Sequence, residues 1–262
     1  MFKYPILISC NRSGSTWVQS YIRHAYQNLY SNTLTFDNHT NDDEFFDDNH
    51  FGIDMNDKIN FLTLLRKRNY ELCHKVHAKF LYDKDVLKWF VDFYKGHDII
   101  ILKRRNLWKG FLSYLFHTTI LNKLRKEHPK WPHFTDVNTR PRINNIKSFN
   151  KSADILKATI QSHDIKFTFN KIICDEYLTQ IRHLNTIVEH RLKPFKPQII
   201  CKENLSNRFL QKKFEVEYTS KVMPLNIKYE IYFKSEELEK VKEFYQTRYD
   251  NEFKFYGYDH KY

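Results

Sequence analysis

The sequence predicts an α/β domain, a three-layer sandwich around a central, mostly parallel sheet, and three observations predict it. Short apolar runs without alternation, Ile6-Leu7-Ile8 and Ile99-Ile100-Ile101-Leu102, have the form of strands covered on both faces. Stretches with apolar residues three and four apart lie between such runs, which is the strand and helix alternation of a parallel sheet. The 262 residues are 41% hydrophobic and 16% aromatic and hold no Pro/Gly/Ser-rich linker. They therefore read as one domain, 1–262, with enough apolar material for a substantial core.

The elements follow in order. After the strand at Ile6–Ile8, a polar loop leads into a helix over roughly 15–30, with Val18, Ile22, Ala25 and Leu29 on one face. Residues 37–57, rich in Asp and Asn with interleaved aromatics, read as a loop, either a solvated surface or a cover over a site entrance. A helix is expected at 57–68, then a strand over Tyr70–His77 that ends in a polar tip. The next helix, about 84–95, carries Val86, Leu87 and Phe90 and stops at Gly96. The run at 98–102 is the clearest buried strand, and Lys103-Arg104-Arg105 forms its tip. A helix starts near Leu107 and runs past Ser113, and Pro129, Pro132 and Pro141 break regular structure across 128–142. Further expectations are a helix at 150–163, a strand at Lys171–Glu176, a helix at 177–192, a short strand at Ile199–Cys201 and a helix from Glu236 to Tyr249.

Bulk properties bound the function loosely. With 43 basic and 31 acidic residues the chain carries +12, which favours anionic ligands without choosing among a nucleotide, a polyanionic glycan, nucleic acid or a lipid surface. Cys10, Cys73, Cys174 and Cys201 are widely spaced, with no CxxC pair and no Cys/His cluster at metal-ligand spacing. Neither zinc nor a disulfide framework is indicated, and reduced core thiols suit a cytoplasmic protein. The first strand begins too early to leave room for a signal peptide, and no apolar run approaches the roughly 20 residues of a membrane span.

The stretch from Pro5 to Val18 carries the chemistry. Gly14 lets the backbone approach a ligand, and the first amides of the following helix lack internal partners and point at any bound anion. Arg12 adds a permanent positive charge, while Ser13, Ser15 and Thr16 add hydroxyl donors. Together they make an oxyanion cradle. It is not the triphosphate loop GxxxxGK[ST], because it has one Gly and no Lys before Ser15 or Thr16.

Arg12-Ser13-Gly14-Ser15-Thr16-Trp17 resembles instead the 5'-phosphosulfate loop of sulfotransferases, [KR]-S-G-[ST]-[ST]-x. Two more stretches are similar to that family. Arg105 and Ser113 keep the eight-residue spacing of its 3'-phosphate motif after a strand, with Asn106-Leu107 where Asp-Pro is usual. Lys75-Val76-His77 is similar to its strand-tip K-T-H.

The resemblance implies a P-loop NTPase-like sulfotransferase fold, 3'-phosphoadenylyl sulfate (PAPS) as donor, and no metal. It makes His77 the base that takes the acceptor proton, a role that suits an imidazole titrating near neutrality, with His74 or a carboxylate of the 37–57 loop as the other candidates. Lys75 and Arg12 would stabilise charge on the sulfuryl and leaving oxygens. Residues Arg12 to Thr16 would hold the phosphosulfate, and Arg105 and Ser113 the 3'-phosphate. Trp17 stacks on the adenine or packs in the core. Lys171–Glu176 is similar to the family's Y-E-D-x strand. The C-terminal R-K-G segment that closes on the 3'-phosphate in cytosolic members is absent, and the spacing does not choose among Lys202, Arg208, Lys212 and Lys213 as its replacement.

Two other classes remain open: an atypical P-loop kinase, and a non-enzymatic binder of polyanions or nucleic acid suggested by the +12 charge and the abundant Tyr, Phe and Lys. The basic residues are spread along the chain rather than clustered, which speaks against nucleic acid. The acceptor, whether carbohydrate, phenol, other small molecule or protein side chain, is not legible, because acceptor pockets are built from variable loops such as 37–57 and 128–142, the latter carrying Trp131 and Phe134.

Overall fold

The computed structural model describes residues 5–10, 13–25, 75–121, 168–219, 228–249 and 251–259. Arg12, the segments at 37–57 and 128–142, and the helices expected at 57–68 and 150–163 lie outside the described residues. In chain order the strands are β1 (Ile6–Ser9), β2 (Lys75–His77), β3 (Ile99–Lys103) and β4 (Gln198–Cys201). The main helices are α1 (Ser15–Ala25), α2 (Lys84–Phe93), α3 (Leu107–Leu115), α4 (Lys171–His183), α5 (Asn207–Phe214), α6 (Ser235–Arg248) and α7 (Asn251–Phe255). The chain divides into two compact units, Met1–Arg104 with Thr179–Ser220, and Arg105–Leu178 with Lys221–Tyr262.

The first unit is α/β with a four-stranded, all-parallel sheet among the described residues, ordered β2-β1-β3-β4. Every residue of β1 and β3 is buried, as continuous Ile/Leu runs require when helices cover both faces of a parallel sheet. From β1 the chain goes to β2 on one side, then crosses to β3 on the other. The loop after β1 therefore sits at a switch in strand order, where the carboxyl ends of parallel strands leave room for a ligand. The register aligns those ends: Ser9 lies opposite His77 and Leu102, and Lys103 lies opposite Cys201.

The helices of this unit start where local chemistry permits. Asp83 caps α2, its carboxylate accepting from the amides of Asp85 and Val86 at 2.9 and 3.1 Å, and Ser206 caps α5 through the Phe209 amide at 3.0 Å. Asn207 then ties α1 to α5, its Oδ1 accepting from Trp17 Nε1 at 3.3 Å and from the Tyr21 hydroxyl at 2.7 Å.

One expected strand is a helix. Lys171–Glu176 forms the first turns of α4, because Asn170 accepts from the amides of Ile172 and Ile173 at 3.0 and 3.3 Å and so caps a helix rather than opening a strand. Cys174, Tyr177, Leu178 and Ile181 are buried at helical spacing, while Ile172 is 79% exposed. Asp175 consequently marks no strand tip; it pairs with Arg248 at 3.3 Å. The expected helix at 177–192 continues α4 through a π-helical stretch at Leu184–Glu189. There the Asn185 amide and the Thr186 hydroxyl donate to the carbonyls four residues back, competing with the backbone ladder. Thr118 and Thr119 do the same at the π-helical end of α3, Phe116–Leu121.

The second unit packs on aromatics, which explains part of the 16% aromatic content. Trp108 and Phe111 of α3 meet Tyr245 of α6 at centroid distances of 5.1 and 5.6 Å, and Tyr177 lies 5.0 Å from Tyr114. Such ring pairs add about 0.5–1.5 kcal/mol each beyond the area they bury. Helix α7 ends at Gly257, whose φ of +79 allows the 2.6 Å bond from the Tyr249 hydroxyl to the Tyr258 carbonyl just beyond it. The Tyr258 amide reaches back to Phe253 and that of Gly257 to Lys254, a Schellman closure.

Candidate anion-binding site

The site is built on the carboxyl ends of the strands in the first unit. β1 ends at Ser9, and α1 begins at Ser15. Between them the chain turns at Gly14 with φ +88, a conformation that costs a side-chain-bearing residue but not Gly. The Gly14 carbonyl accepts from the amides of Trp17 and Val18 at 3.1 and 3.5 Å, which starts the helix there. The amides of Gly14 and Ser15 are thus left at the helix mouth without an intrahelical acceptor, and the aligned peptide dipoles place partial positive charge at the same end. Ser13 is 2% exposed, and its Oγ has no hydrogen-bond partner among the described residues; the same holds for Oγ of the fully buried Ser9. A buried hydroxyl left unsatisfied costs roughly 1–3 kcal/mol, so each of these two gains from a polar partner at this strand end.

The adjoining strand ends bring the other groups. On β2, Lys75 and His77 are 1% and 8% exposed, and alternation puts both on one face of the sheet. On β3, Lys103 is held by Glu189 at 2.5 Å, a mostly buried pair whose carboxylate comes from the π-helical end of α4. Cys10 lies directly after Ser9, and burial pushes its thiol up to about 12, only partly offset by the charge of Lys103. It is therefore a neutral thiol, donating to the Gln180 carbonyl at 3.5 Å, and not a nucleophile. No group of three or more His, Cys, Asp or Glu able to hold a metal occurs among the described residues, and no helix among them is long and apolar enough to cross a membrane.

No family model, curated protein or solved structure matches the chain.

Of the residues singled out in the sequence, Ser13, Gly14, Ser15 and Thr16 form the helix mouth, and Lys75 and His77 lie on the strand beside it. Trp17 is buried with its indole N–H on Asn207, which suits the packing role rather than an adenine platform. In the second unit, Arg105 is half-exposed, 3.8 Å from Asp259, and its carbonyl accepts from the Asp259 amide at 2.8 Å. Asn106, standing where an Asp is usual, caps α3 through the Lys109 amide at 2.8 Å, so the turn keeps a capping side chain. Ser113 is buried two turns along that helix.

Of the four C-terminal cations named for the 3'-phosphate, Lys202 lies instead against Gly14 of the helix mouth. A Cβ built on Gly14 would lie 3.4 Å from its Cδ and Cε. Its place directly after the short strand at 199–201 is the sequence signal that points to it.

Proposed function

We propose that the protein is a sulfotransferase of the P-loop-like, three-layer α/β kind, moving a sulfuryl group from PAPS to a hydroxyl or amine of an acceptor. The observation that carries this reading is the buried, unsatisfied Ser13 hydroxyl beside a positive-φ glycine at a helix mouth, within the Arg-Ser-Gly-Ser-Thr sequence. A tetrahedral oxyanion on those amides would satisfy the hydroxyl and take the helix-end charge. The all-parallel sheet supports the fold, and Lys75 and His77 on the adjoining strand supply the two groups the transfer needs.

In the reaction, the acceptor oxygen forms a bond to sulfur as the bond from sulfur to the 5'-phosphate oxygen breaks in line. The acceptor proton goes to His77, and 3'-phosphoadenosine 5'-phosphate leaves with its new charge stabilised by Lys75, Arg12 and the helix-mouth amides. The resemblance in sequence gives Arg105 and Ser113 the 3'-phosphate role, Arg105 through its two-pronged guanidinium. The protein acts in the cytoplasm on this reading.

Isothermal titration with 3'-phosphoadenosine 5'-phosphate tests the donor. Binding is expected, weakened by Arg12→Ala, Ser13→Ala and Ser113→Ala; absence of binding, or equal affinity in all three variants, overturns the reading. Protection by Mg-ATP alone in a thermal-shift assay would point to a kinase instead. His77→Ala is expected to keep donor affinity and lose turnover, and unchanged turnover would move the base to His74 or a carboxylate.

A further inference from the structure

Three consecutive methylenes of Lys202 lie along the bare face of Gly14: the built Cβ position is 3.4 Å from Cδ and Cε and 3.6 Å from Cγ. Nζ, one bond beyond Cε, therefore falls within about 5 Å of the same point. This placement is set by the backbone. Cys201, the last residue of β4, is registered with Lys103, and the Lys202 carbonyl accepts from the Leu205 amide at 3.0 Å in the 3-10 turn Lys202–Asn204. Strand β3 separates β4 from β1, so two interstrand spacings, about 10 Å, lie between the strand that Lys202 follows and the strand feeding the loop. The lysine spans that gap past the tip of β3, whose own cation, Lys103, is engaged with Glu189.

We propose that Lys202 is the second cationic arm of the helix-mouth loop, and that the ligand there carries two linked anionic groups, as in a phosphosulfate or a diphosphate. One tetrahedral group satisfies Ser13 and the amides of Gly14 and Ser15. A cation delivered from a different strand onto Gly14 then neutralises the group joined to it. The triphosphate-type loop places its Lys just before the hydroxyl residue; here Ser15 follows Gly14 directly, and the missing charge arrives from the turn after β4. The inference rests on the anion-site half of the function proposed above, not on the identity of the nucleotide.

The test is Lys202→Met, which keeps the stem over Gly14 and removes the ammonium, with Lys212→Met on α5 as the exposed control. Inorganic pyrophosphate, sulfate and 3'-phosphoadenosine 5'-phosphate are titrated calorimetrically into each protein, and thermal unfolding checks the fold. Pyrophosphate is expected to bind the parent more tightly than sulfate, and Lys202→Met to lose roughly 10- to 100-fold in pyrophosphate affinity while Lys212→Met loses little. Should the Met variant fail to fold, Lys202→Gln is read the same way. Pyrophosphate affinity equal in parent and variant overturns the inference, as does a parent that binds no pyrophosphate. Lys202-dependent pyrophosphate binding without nucleotide binding supports the inference and removes the sulfotransferase reading. Nucleotide and pyrophosphate binding indifferent to Lys202 does the reverse.

Discussion

Gly14→Ala separates what the glycine does for folding from what it does for binding. At φ +88 an L-residue is strained by roughly 1–2 kcal/mol, and the reduced freedom of the unfolded chain returns less than that. The added Cβ would meet Cδ and Cε of Lys202 at 3.4 Å, which is ordinary van der Waals contact with a flexible stem, so crowding adds little. Gly257 is the internal control, with φ +79 and nothing within 4 Å of its built Cβ. The two Ala variants are therefore expected to lose similar stability, a net of about 0.5–1.5 kcal/mol each, read from urea unfolding. At roughly 2–4 °C per kcal/mol for a chain of this size, the thermal midpoint falls by about 1–6 °C. Only Gly14→Ala is expected to abolish anion binding, because its methyl group occupies the ground between the helix-mouth amides and Lys202. An unchanged midpoint for Gly14→Ala would refute the strain argument. A loss exceeding that of Gly257→Ala by more than about 2 kcal/mol would refute the claim that the Lys202 stem yields.

Asn207→Ala removes the acceptor of two buried donors, Trp17 Nε1 and the Tyr21 hydroxyl, and is expected to cost about 2–4 kcal/mol in urea unfolding, with Asn207→Asp recovering most of it; a cost below 1 kcal/mol would mean that the two bonds do not hold α1 to α5. Burial pushes Cys10 and Cys174 up to about 12, so above the ordinary thiol range near pH 8.5 the unfolded chain loses protons that the folded chain keeps, and stability falls as pH rises. Between pH 8 and 10 the fall is expected to be roughly 2 kcal/mol smaller per thiol removed in Cys10→Ala and Cys174→Ala, and equal falls would show that these thiols do not resist ionisation. Arg105 and Asp259 form a long, half-exposed pair at 3.8 Å, so Arg105→Ala is expected to change stability by less than about 1 kcal/mol while weakening nucleotide binding; a large stability loss would assign Arg105 to the fold instead.

What was legible in the sequence, and what was not, follows from how far each deciding contact reaches along the chain. β1 and β3 are legible because an unbroken Ile/Leu run fits a strand covered on both faces, and the loop is legible because Gly, hydroxyls and a helix start are adjacent. Lys171–Glu176 is misread because Ile172-Ile173-Cys174 has the same composition in a strand and in a helix's first turn; Asn170, one residue before the run, decides it as a cap. Trp17 is ambiguous locally, since an aromatic beside a loop can stack on a ligand or fill the core, and the residue that decides, Asn207, belongs to α5. Lys202 is one of four equivalent cations until the sheet is assembled. Yet a parallel sheet contains the information needed to choose: all its strands end on one edge, so the residue after each strand faces the same region whatever its distance in sequence. With Ile199–Cys201 taken as a parallel strand, Lys202 falls on the edge that holds Ser9, His77 and Lys103, whereas Arg208, Lys212 and Lys213 lie on the following helix. The edge rule thus selects Lys202, whose stem the structure lays on Gly14.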